Sequence, residues 1–479
     1  MMKVSTLRTY ALLFFILFSF SVLQATNLQI HYTELMMLPP GEGGPKARVI
    51  LSWDNAWHNA KNHDAVWLYF RNNHPLGGSL VVKVAPSGHQ IVHNPNNVQG
   101  RIRVSEDGMG VFIEPSTTHR GRVQWTVEIT LDAASVRATR ARENVFGAYG
   151  VEMVYIPEGS FALGDLSERG LQNSALFRSD DTGKPEDFFQ ITAENQVIEI
   201  GAKKGNLNYQ AGQYRGDGKG IIPAAFPKGH QAFYIMKYEL TQGEYARFLN
   251  AQDTLRANAH RNDRARDYYQ KKGTIRFENN DFVAEAPSRP CNFITWDDAM
   301  AVADWAGLRP MTELEFEKAC RGTAKPVNRQ YPWITTSKNA LQRIVAPDYN
   351  LTLLNGLTEA QLNDNNLENF GASYYWVMDL AGSLWERAVT IGDETGRAFT
   401  GTHGDGALDN NGNANVSGWP SGIETSGYGY RGGGYYTHGH EYGEFNPNSP
   451  IGYRPFGAWS GGERTAEGYG IRFVRTAPK

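Results

Sequence analysis

The stretch R-P-M-T-E-L-E-F-E-K-A-C-R-G, residues 309–322, carries the most information about the fold. Thr312 is followed three residues later by Glu315, which is a capping-box pattern: each side chain satisfies a backbone amide at the start of a helix. The spacing therefore predicts a helix over 312–320. Similar periodicity predicts helices over two further stretches, 241–249 and 296–305.

The N-terminus carries a second local signal. Residues 10–23, Y-A-L-L-F-F-I-L-F-S-F-S-V-L, are almost wholly apolar and follow Lys3 and Arg8. The run is shorter than the roughly 20 residues that span a bilayer. The pattern predicts a secretory signal peptide over 1–25, cleaved after about Ala25. We therefore expect an exported protein (periplasmic, on the outer surface or extracellular) with no transmembrane helix in the mature chain.

Composition excludes some partners and leaves the redox state of the cysteines open. The chain has 479 residues, of which 41% are hydrophobic, and a formal net charge of -3. Because no broad basic field is present, nucleic acid is not an expected partner. Export permits a disulfide between Cys291 and Cys320, but two buried free thiols fit the sequence equally well.

Residues 26–145 have the pattern of an all-β unit. Short alternating and β-branched runs lie between turn signals, and Glu106-Asp107-Gly108 marks a hairpin. The predicted strands are 48–53, 65–71, 79–85, 101–105, 110–114 and 122–131. This spacing favours an immunoglobulin-like β-sandwich that serves as an accessory domain. The histidines here are predicted to be solvated rather than metal-bound: His58, His63, His74, His89 and His93.

A second unit, 151–475, contains eight distinctive segments in a fixed order. They are M-V-Y-I-P-E-G-S-F-A-L-G-D (153–165), F-Y-I-M-K-Y-E-L-T-Q-G-E-Y-A-R-F-L-N (233–250), N-F-I-T-W-D-D-A (292–299), R-P-M-T-E-L-E-F-E-K-A-C-R-G (309–322), Y-P-W (331–333), M-D-L-A-G-S-L-W-E-R (378–387), Y-R-G-G-G-Y (430–435) and G-Y-G-I-R-F-V (468–474).

These segments resemble, in order, the landmarks of the formylglycine-generating-enzyme, or sulfatase-modifying-factor, family. The resemblance implies a loop-rich α+β domain of the C-type-lectin-like fold, with loop-rich inserts at about 164–229, 252–286 and 392–428. Two local expectations accompany it. Gly432 and Gly433 permit backbone conformations that a Cβ would block, and Arg472, inside an apolar strand, requires a buried acidic partner, either Glu313 or Glu386.

The resemblance also provides a test of chemistry. In the family, two cysteines five residues apart follow a Gly-Gly-Ser landmark and bind copper, which suits soft thiolates. In this sequence those two positions hold Thr437 and Tyr442, neither of which supplies a thiolate. Cys320 matches a structural cysteine of the family. We therefore do not expect formylglycine generation, and we do not expect bound copper or iron.

One alternative keeps a metal at the same place. His438 and His440 form H-x-H, with Glu441 adjacent and His403 elsewhere in the chain. Two imidazoles and a carboxylate suit iron, zinc or copper(II). The competing interpretation is an exposed loop rich in Gly and His. The sequence leaves a metal-dependent oxidoreductase with an altered site as one of the alternatives.

Calcium is a separate expectation. The resemblance implies a calcium site beside the run S-L-W-E-R (383–387), which keeps Glu386 but has Ser383 where the family has Asn. A second set of hard oxygen ligands lies in a glycine-rich loop: Asp405, Asp409, Asn411 and Asn413. These residue types are also common in ordinary turns.

The region around the vacated cysteine positions is rich in amphipathic rings near polar groups, which suits recognition of a sugar or peptide. The candidate ligand-binding residues are Trp419, Tyr435, Tyr436, His438, His440 and Tyr442, and Tyr428 and Tyr430 lie in the same region. The leading prediction is an exported non-catalytic protein that binds a glycan, a peptide or an envelope partner. The main alternative is a structural component of an envelope secretion or motility assembly.

Overall fold

The structure is a computed structural model. It describes residues 28–37, 43–74, 78–141, 143–337, 343–345, 351–353, 357–422, 425–434, 450–461 and 467–479. The fold is mixed, with helices and many short strands arranged in several sheets. The predicted signal peptide lies outside the described residues.

The N-terminal part is built from long antiparallel strands. They are β1 (Gln29–Met36), β2 (Lys46–His58), β3 (Asp64–Asn73), β4 (Ser79–Val82), β5 (Gln90–His93), β6 (Gly100–Val104), β7 (Gly110–Pro115), β8 (His119–Thr130) and β9 (Val145–Ile156). All six strands predicted from the sequence are present, and the predicted hairpin joins β6 to β7. One sheet has the order β1-β2-β8-β5, and it packs against strands of a second sheet across an apolar core that includes Trp53, Leu68 and Trp125.

Strand β3 is buried on both of its faces. Val66, Leu68 and Phe70 point into the core between the two N-terminal sheets. Trp67 and Tyr69, on the opposite face, belong to the large core of the C-terminal unit. Successive side chains of a strand point to opposite sides of a sheet, so this one strand forms part of both cores.

One sheet also runs across the predicted domain boundary. Strand β9 pairs along most of its length with β3, from Val145↔Asn73 to Val154↔Asp64, and its last residues pair with β17 (Phe233–Met236). The eight-stranded sheet has the order β20-β26-β17-β9-β3-β7-β6, with β4 paired to β3. Residues 146–150, between the two predicted domains, therefore lie in the middle of a strand.

The three predicted helices are present, and two of them begin at the capping boxes that the Thr…Glu spacing at 241–244 and 312–315 predicts. Thr312 accepts a hydrogen bond from the amide of Glu315, whose carboxylate accepts one from the amide of Thr312 in return. Thr241 and Glu244 form the same reciprocal pair. The described helices are α1 (Ala133–Thr139), α2 (Glu168–Gln172), α3 (Gln242–Asn250), α4 (Thr254–His260), α5 (Trp296–Trp305), α6 (Glu313–Arg321), α7 (Leu367–Phe370) and α8 (Glu394–Arg397).

The inserts contain more regular structure than the sequence predicts. Residues 164–229 contain all five strands of a sheet with the order β12 (Pro185–Asp187), β11 (Phe177–Ser179), β15 (Leu207–Asn208), β14 (Ile198–Ile200) and β16 (Gly220–Ile222). These strands of two or three residues are too short to show a period. Strands β18 and β19 form a hairpin within 252–286. The remaining strands are β10 (Phe161–Leu163), β13 (Phe189–Ile191), β18 (Ile275–Glu278), β19 (Asp281–Ala284), β20 (Arg309–Pro310), β21 (Arg343–Val345), β22 (Leu351–Leu353), β23 (Trp385–Val389), β24 (Tyr428–Arg431), β25 (Tyr469–Gly470) and β26 (Phe473–Thr476).

Cys291 and Cys320 are both free thiols and both fully buried. Of the two arrangements that the sequence permits, the structure therefore has the unpaired one. Over the described stretches, no helix combines the length and the apolar character needed to cross a bilayer.

Candidate functional site

The glycine run that precedes the vacated cysteine positions begins at the end of strand β24. This strand pairs antiparallel with β23, with Arg431 opposite Glu386. Gly432 and Gly433 have φ values of 86° and 74°, as expected from the sequence. A Cβ on Gly432 would lie 2.9 Å from the carbonyl oxygen of Leu380. The run is therefore restricted to glycine by both conformation and space.

A buried ionic cluster fixes β24 to helix α6. The Arg431 guanidinium donates to Glu313 (3.0 Å) and to Glu317 (2.8 Å). Arg454 makes a bidentate pair with Glu313, at 2.8 and 3.0 Å. Burial raises the pKa of Glu313, but the charges of Arg454 and Arg431 outweigh it and leave the pKa below its usual value. Both glutamates come from the stretch 309–322, so this helix positions the glycine run as well as contributing to the core.

A second buried pair lies under β23. Arg472 donates to both carboxylate oxygens of Glu386 at 2.6 Å, and both side chains are fully buried. Of the two partners that the sequence allows for Arg472, the structure selects Glu386. Nearby, burial and then the charge of Glu386 raise the pKa of Glu239 well above its usual range.

Most of the predicted ligand-binding side chains lie outside the described residues: Tyr435, Tyr436, His438, His440 and Tyr442, together with Thr437 and Glu441. Trp419 is described and is 6% exposed, and its indole N–H donates to the carbonyl oxygen of Thr402. Tyr428 and Tyr430 are also buried, and Tyr428 stacks on Trp296 at 4.3 Å. These three rings are therefore part of the core.

A different group of rings lies at the surface beside the landmark. Tyr214, on a glycine-rich loop of the 164–229 insert, is 43% exposed. Its ring lies 5.1 Å from that of Trp459 and 6.1 Å from that of Phe456. Phe456 in turn contacts Trp385 of β23, with ring centroids 5.2 Å apart. The sequence does not predict that these rings meet, because the loop and segment 450–461 lie far apart in the chain.

Three arginines surround Tyr453, which is partly buried beside the same rings. Arg169, Arg329 and Tyr453 line one small pocket. Burial raises the pKa of Tyr453, and the positive charges of Arg169 and Arg215 oppose that rise. Together these residues form what we call the aromatic–arginine face: Tyr214, Tyr453, Phe456, Trp459, Arg169, Arg215 and Arg329.

The predicted calcium ligands make other contacts. One carboxylate oxygen of Asp409 accepts from the amides of Asn411 and Asn413, both at 2.8 Å, as in an ordinary turn. Asp405 accepts from the amide of Ala407. Both oxygens of Glu386 are bound by Arg472. No group of three or more His, Cys, Asp and Glu side chains suited to a metal occurs among the residues that the structure describes. In this arrangement the carboxylates of the predicted set accept hydrogen bonds from backbone amides or from Arg472.

His403, the more distant histidine of the metal alternative, is inside the protein. Its Nε2 accepts a hydrogen bond from the amide of Thr476 at 3.0 Å. Burial, followed by the charges of Arg475 and Arg309, lowers the pKa of His403 well below its usual value. A neutral imidazole whose Nε2 already accepts a hydrogen bond from a backbone amide is a structural acceptor.

Another concavity lies where the N-terminal strands meet the C-terminal unit. A cleft of about 700 Å³ is lined by residues of both parts, among them Arg103, Tyr155 and His230. Behind it, His63 stacks on Tyr155 and contacts Glu114 at 2.9 Å. His63 was predicted to be solvated, but it is 6% exposed because it lies in the turn into β3, beside the carboxylate at the end of β7.

The glycine run thus follows β24, and buried glutamate–arginine pairs fix this strand to the capped helix α6. A family model described as the sulfatase-modifying factor enzyme 1-like domain matches residues 147–477. The chain belongs to this family.

The curated relatives match over a much shorter stretch. The formylglycine-generating enzyme of Bos taurus is 43% identical over 51 residues, which are 11% of this chain and 13% of the relative. The formylglycine-generating enzyme of Thermomonospora curvata is 41% identical over 51 residues, 11% of this chain and 16% of the relative. The aligned part therefore spans less than a fifth of these relatives' length.

Proposed function

We propose that this protein is an exported, non-catalytic relative of formylglycine-generating enzyme that binds a glycan, a peptide or a protein partner of the cell envelope. The observation that carries the proposal is the aromatic–arginine face. Half-exposed rings and guanidinium groups lie beside the glycine landmark, where the family places its active site. Rings with flat apolar faces and polar edges suit such ligands because they bury area at a low entropic cost.

The residue types at the vacated positions support the non-catalytic part of the proposal. The family reaction uses copper held by two thiolates, and Thr437 and Tyr442 stand at those positions. The two cysteines of this chain are buried, and burial raises the pKa of both thiols well above the usual value. Neither thiol is available as a replacement thiolate.

We also propose a fold for each of the two units and a location for the protein. We assign the C-terminal unit to the C-type-lectin-like fold on its family membership, and the N-terminal strands to an immunoglobulin-like arrangement on their two packed sheets. The apolar run 10–23 supports export to the periplasm, the outer surface or the extracellular space. Calcium stays a prediction, and a bound ion requires Asp405, Asp409 or Glu386 to exchange its present contacts.

Co-sedimentation tests the binding function. The purified protein is mixed separately with insoluble cell-wall glycan, with extracted envelope polysaccharides on beads and with solubilised envelope proteins on beads. We expect one fraction to carry the protein down, and Tyr214→Ala to reduce the amount bound. Tyr269→Ala is the matched control, because Tyr269 is 46% exposed on another part of the surface. The proposal is wrong if no fraction binds, or if both variants bind as the parent does.

A further inference from the structure

We infer that the aromatic–arginine face recognises an acidic polysaccharide, one whose sugar rings carry carboxylate or sulfate groups. This inference rests on the proposed binding function and narrows its ligand to one chemical class. It requires cations that are available to a ligand, rings that accept a sugar, and a surface unsuited to the alternative ligands.

Two of the three cations, Arg215 and Arg329, are available to a ligand. The side chains of Arg215 and Arg329 have no hydrogen-bond or ion-pair partner in the part of the chain that the structure describes. Arg329 is exposed and Arg215 is half-buried. A planar guanidinium with free N–H groups matches carboxylate and sulfate oxygens in a two-point contact.

The nearby carboxylate does not neutralise them. Asp165 lines the same pocket as Arg169 and Arg329, but it is 2% exposed. Its two oxygens accept from the backbone amides of Ser167 (2.9 Å) and Arg329 (2.9 Å). The Asp165 carboxylate therefore lies on the buried side of the pocket, whereas the side chains of Arg169 and Arg329 are exposed to solvent.

The rings form a shallow hollow rather than a flat stack. The planes of Tyr214 and Trp459 meet at 56°, and those of Phe456 and Trp459 at 47°. The loop that carries Tyr214 contains Gln213 at a φ of 40° and is fastened by a hydrogen bond from the amide of Ala458 to the carbonyl oxygen of Tyr214. The ring is therefore held against its neighbours before any ligand arrives, which lowers the entropic cost of binding.

The same surface is unsuited to an extended peptide that would add to the sheet. Such a peptide needs an open strand edge. The edge of β24 is covered, because the amide of Tyr430 donates to the carbonyl oxygen of Phe456 at 3.0 Å. Even a Cβ on Gly429 would lie 2.1 Å from the carbonyl oxygen of Gly457. Nucleic acid is disfavoured by the net charge of -3.

Affinity electrophoresis in native gels tests the inference with the full chain. Separate gels contain polygalacturonate as the carboxylated polymer, dextran sulfate as the sulfated polymer and unmodified dextran as the neutral polymer. We expect retardation by one or both acidic polymers and none by dextran. Arg215→Gln/Arg329→Gln should weaken that retardation about tenfold, as expected for lost charge-assisted hydrogen bonds. Arg215→Gln alone serves if the double variant does not fold.

Arg266→Gln is the matched control for the single variant Arg215→Gln, because the side chain of Arg266 is 89% exposed and its substitution removes the same single charge elsewhere. Retardation by the carboxylated polymer only, or by the sulfated polymer only, supports the inference and identifies the acidic group. Equal weakening in Arg266→Gln overturns it, because that result shows nonspecific charge attraction. Tyr214-dependent binding to dextran, or to an envelope protein with no acidic-polymer binding, overturns the inference and leaves the binding function standing. If nothing binds in either experiment, both proposals fail.

Discussion

Three buried arginines of the C-terminal unit and two arginines at its surface differ in whether a carboxylate meets them. Arg431, Arg454 and Arg472 are at most 1% exposed, and each has a glutamate within 3.0 Å. Arg215 and Arg329 lie at the surface with no such partner in the described part of the chain. A buried guanidinium without a counter-charge is very costly, so the partnered arginines serve the fold. The surface arginines keep their donors available for a ligand.

The largest effect is expected at the most deeply buried pair. Arg472→Met leaves Glu386 buried without its cation, and should lower the free energy of unfolding by about 3–5 kcal/mol. Arg472→Met/Glu386→Leu removes both charges and should regain much of that loss. Urea unfolding of the three proteins measures the effect. A double variant no more stable than the single one would show that the unpaired charge of Glu386 is not the cause of the lost stability.

An intermediate case lies in the N-terminal strands, where half-exposed Arg101 and Arg103 meet the fully buried Glu114. Burial raises the pKa of Glu114, but hydrogen bonds from His63 and Tyr234 and the charge of Arg101 bring it from 4.5 to about 2. A carboxylate whose pKa is lower in the folded protein than in the unfolded chain stabilises the fold at pH values above the unfolded-state pKa. This contribution is lost as the pH falls towards the folded-state pKa. The shift corresponds to roughly 3 kcal/mol.

The comparison protein for this pH dependence is Glu114→Gln. At neutral pH this variant should be less stable than the parent by a few kcal/mol, and the gap should close between about pH 5 and pH 2. Urea midpoints measured along that pH series provide the check. A gap that stays constant with pH would mean that Glu114 acts by packing alone.

The surface arginines should contribute almost nothing to stability. Arg215→Gln/Arg329→Gln should change the free energy of unfolding by no more than about 0.5 kcal/mol, because Arg329 is exposed, Arg215 is half-buried and neither side chain has a partner among the described residues. The same urea experiment measures this effect. A loss comparable to that of Arg472→Met would remove the distinction between the two groups of arginines.

The smallest effect, a change in melting temperature, is expected in the glycine-rich loop 405–415. There Asp405 and Asp409 accept hydrogen bonds from backbone amides instead of from arginines. A calcium ion there would make the melting temperature fall when excess chelator is added, and Asp409→Ala would abolish that response. Thermal melts of both proteins with and without chelator test the prediction. An identical melting temperature in the parent with and without chelator would contradict it.

The sequence predicts local structure where one short pattern determines it. Capping boxes at Thr241 and Thr312 place two helices, alternation places the long N-terminal strands, and an arginine within an apolar strand requires a buried acid such as Glu386. The cap at Thr295 was not predicted, because its partner is Asp298 instead of a glutamate. Each of these patterns spans only a few residues, so it can be recognised in the sequence without knowledge of the fold.

The remaining features arise from long-range contacts that no local pattern contains. Strand β3 has the sequence of an ordinary sandwich strand, and only the packing of Trp67 and Tyr69 in the core of the C-terminal unit shows that its second face is also buried. His63 and Glu114 are 51 residues apart and meet only across the sheet. Tyr214 joins Phe456 and Trp459 because an insert folds back onto segment 450–461. A single sequence therefore gives the family and the vacated positions, but not the surface beside them.

The non-catalytic claim is tested most directly by offering the protein the family's reaction. A cysteine-containing peptide with the sequence that a formylglycine-generating enzyme accepts is incubated with the full chain, copper, oxygen and excess dithiothreitol, which supplies electrons and keeps the peptide thiol reduced, and its mass is followed by mass spectrometry. We predict that the peptide keeps its thiol, as it does in a parallel sample without protein. If this protein is required for conversion of the cysteine to an aldehyde, the result would contradict the account and show that the chain is an enzyme like its catalytic relatives.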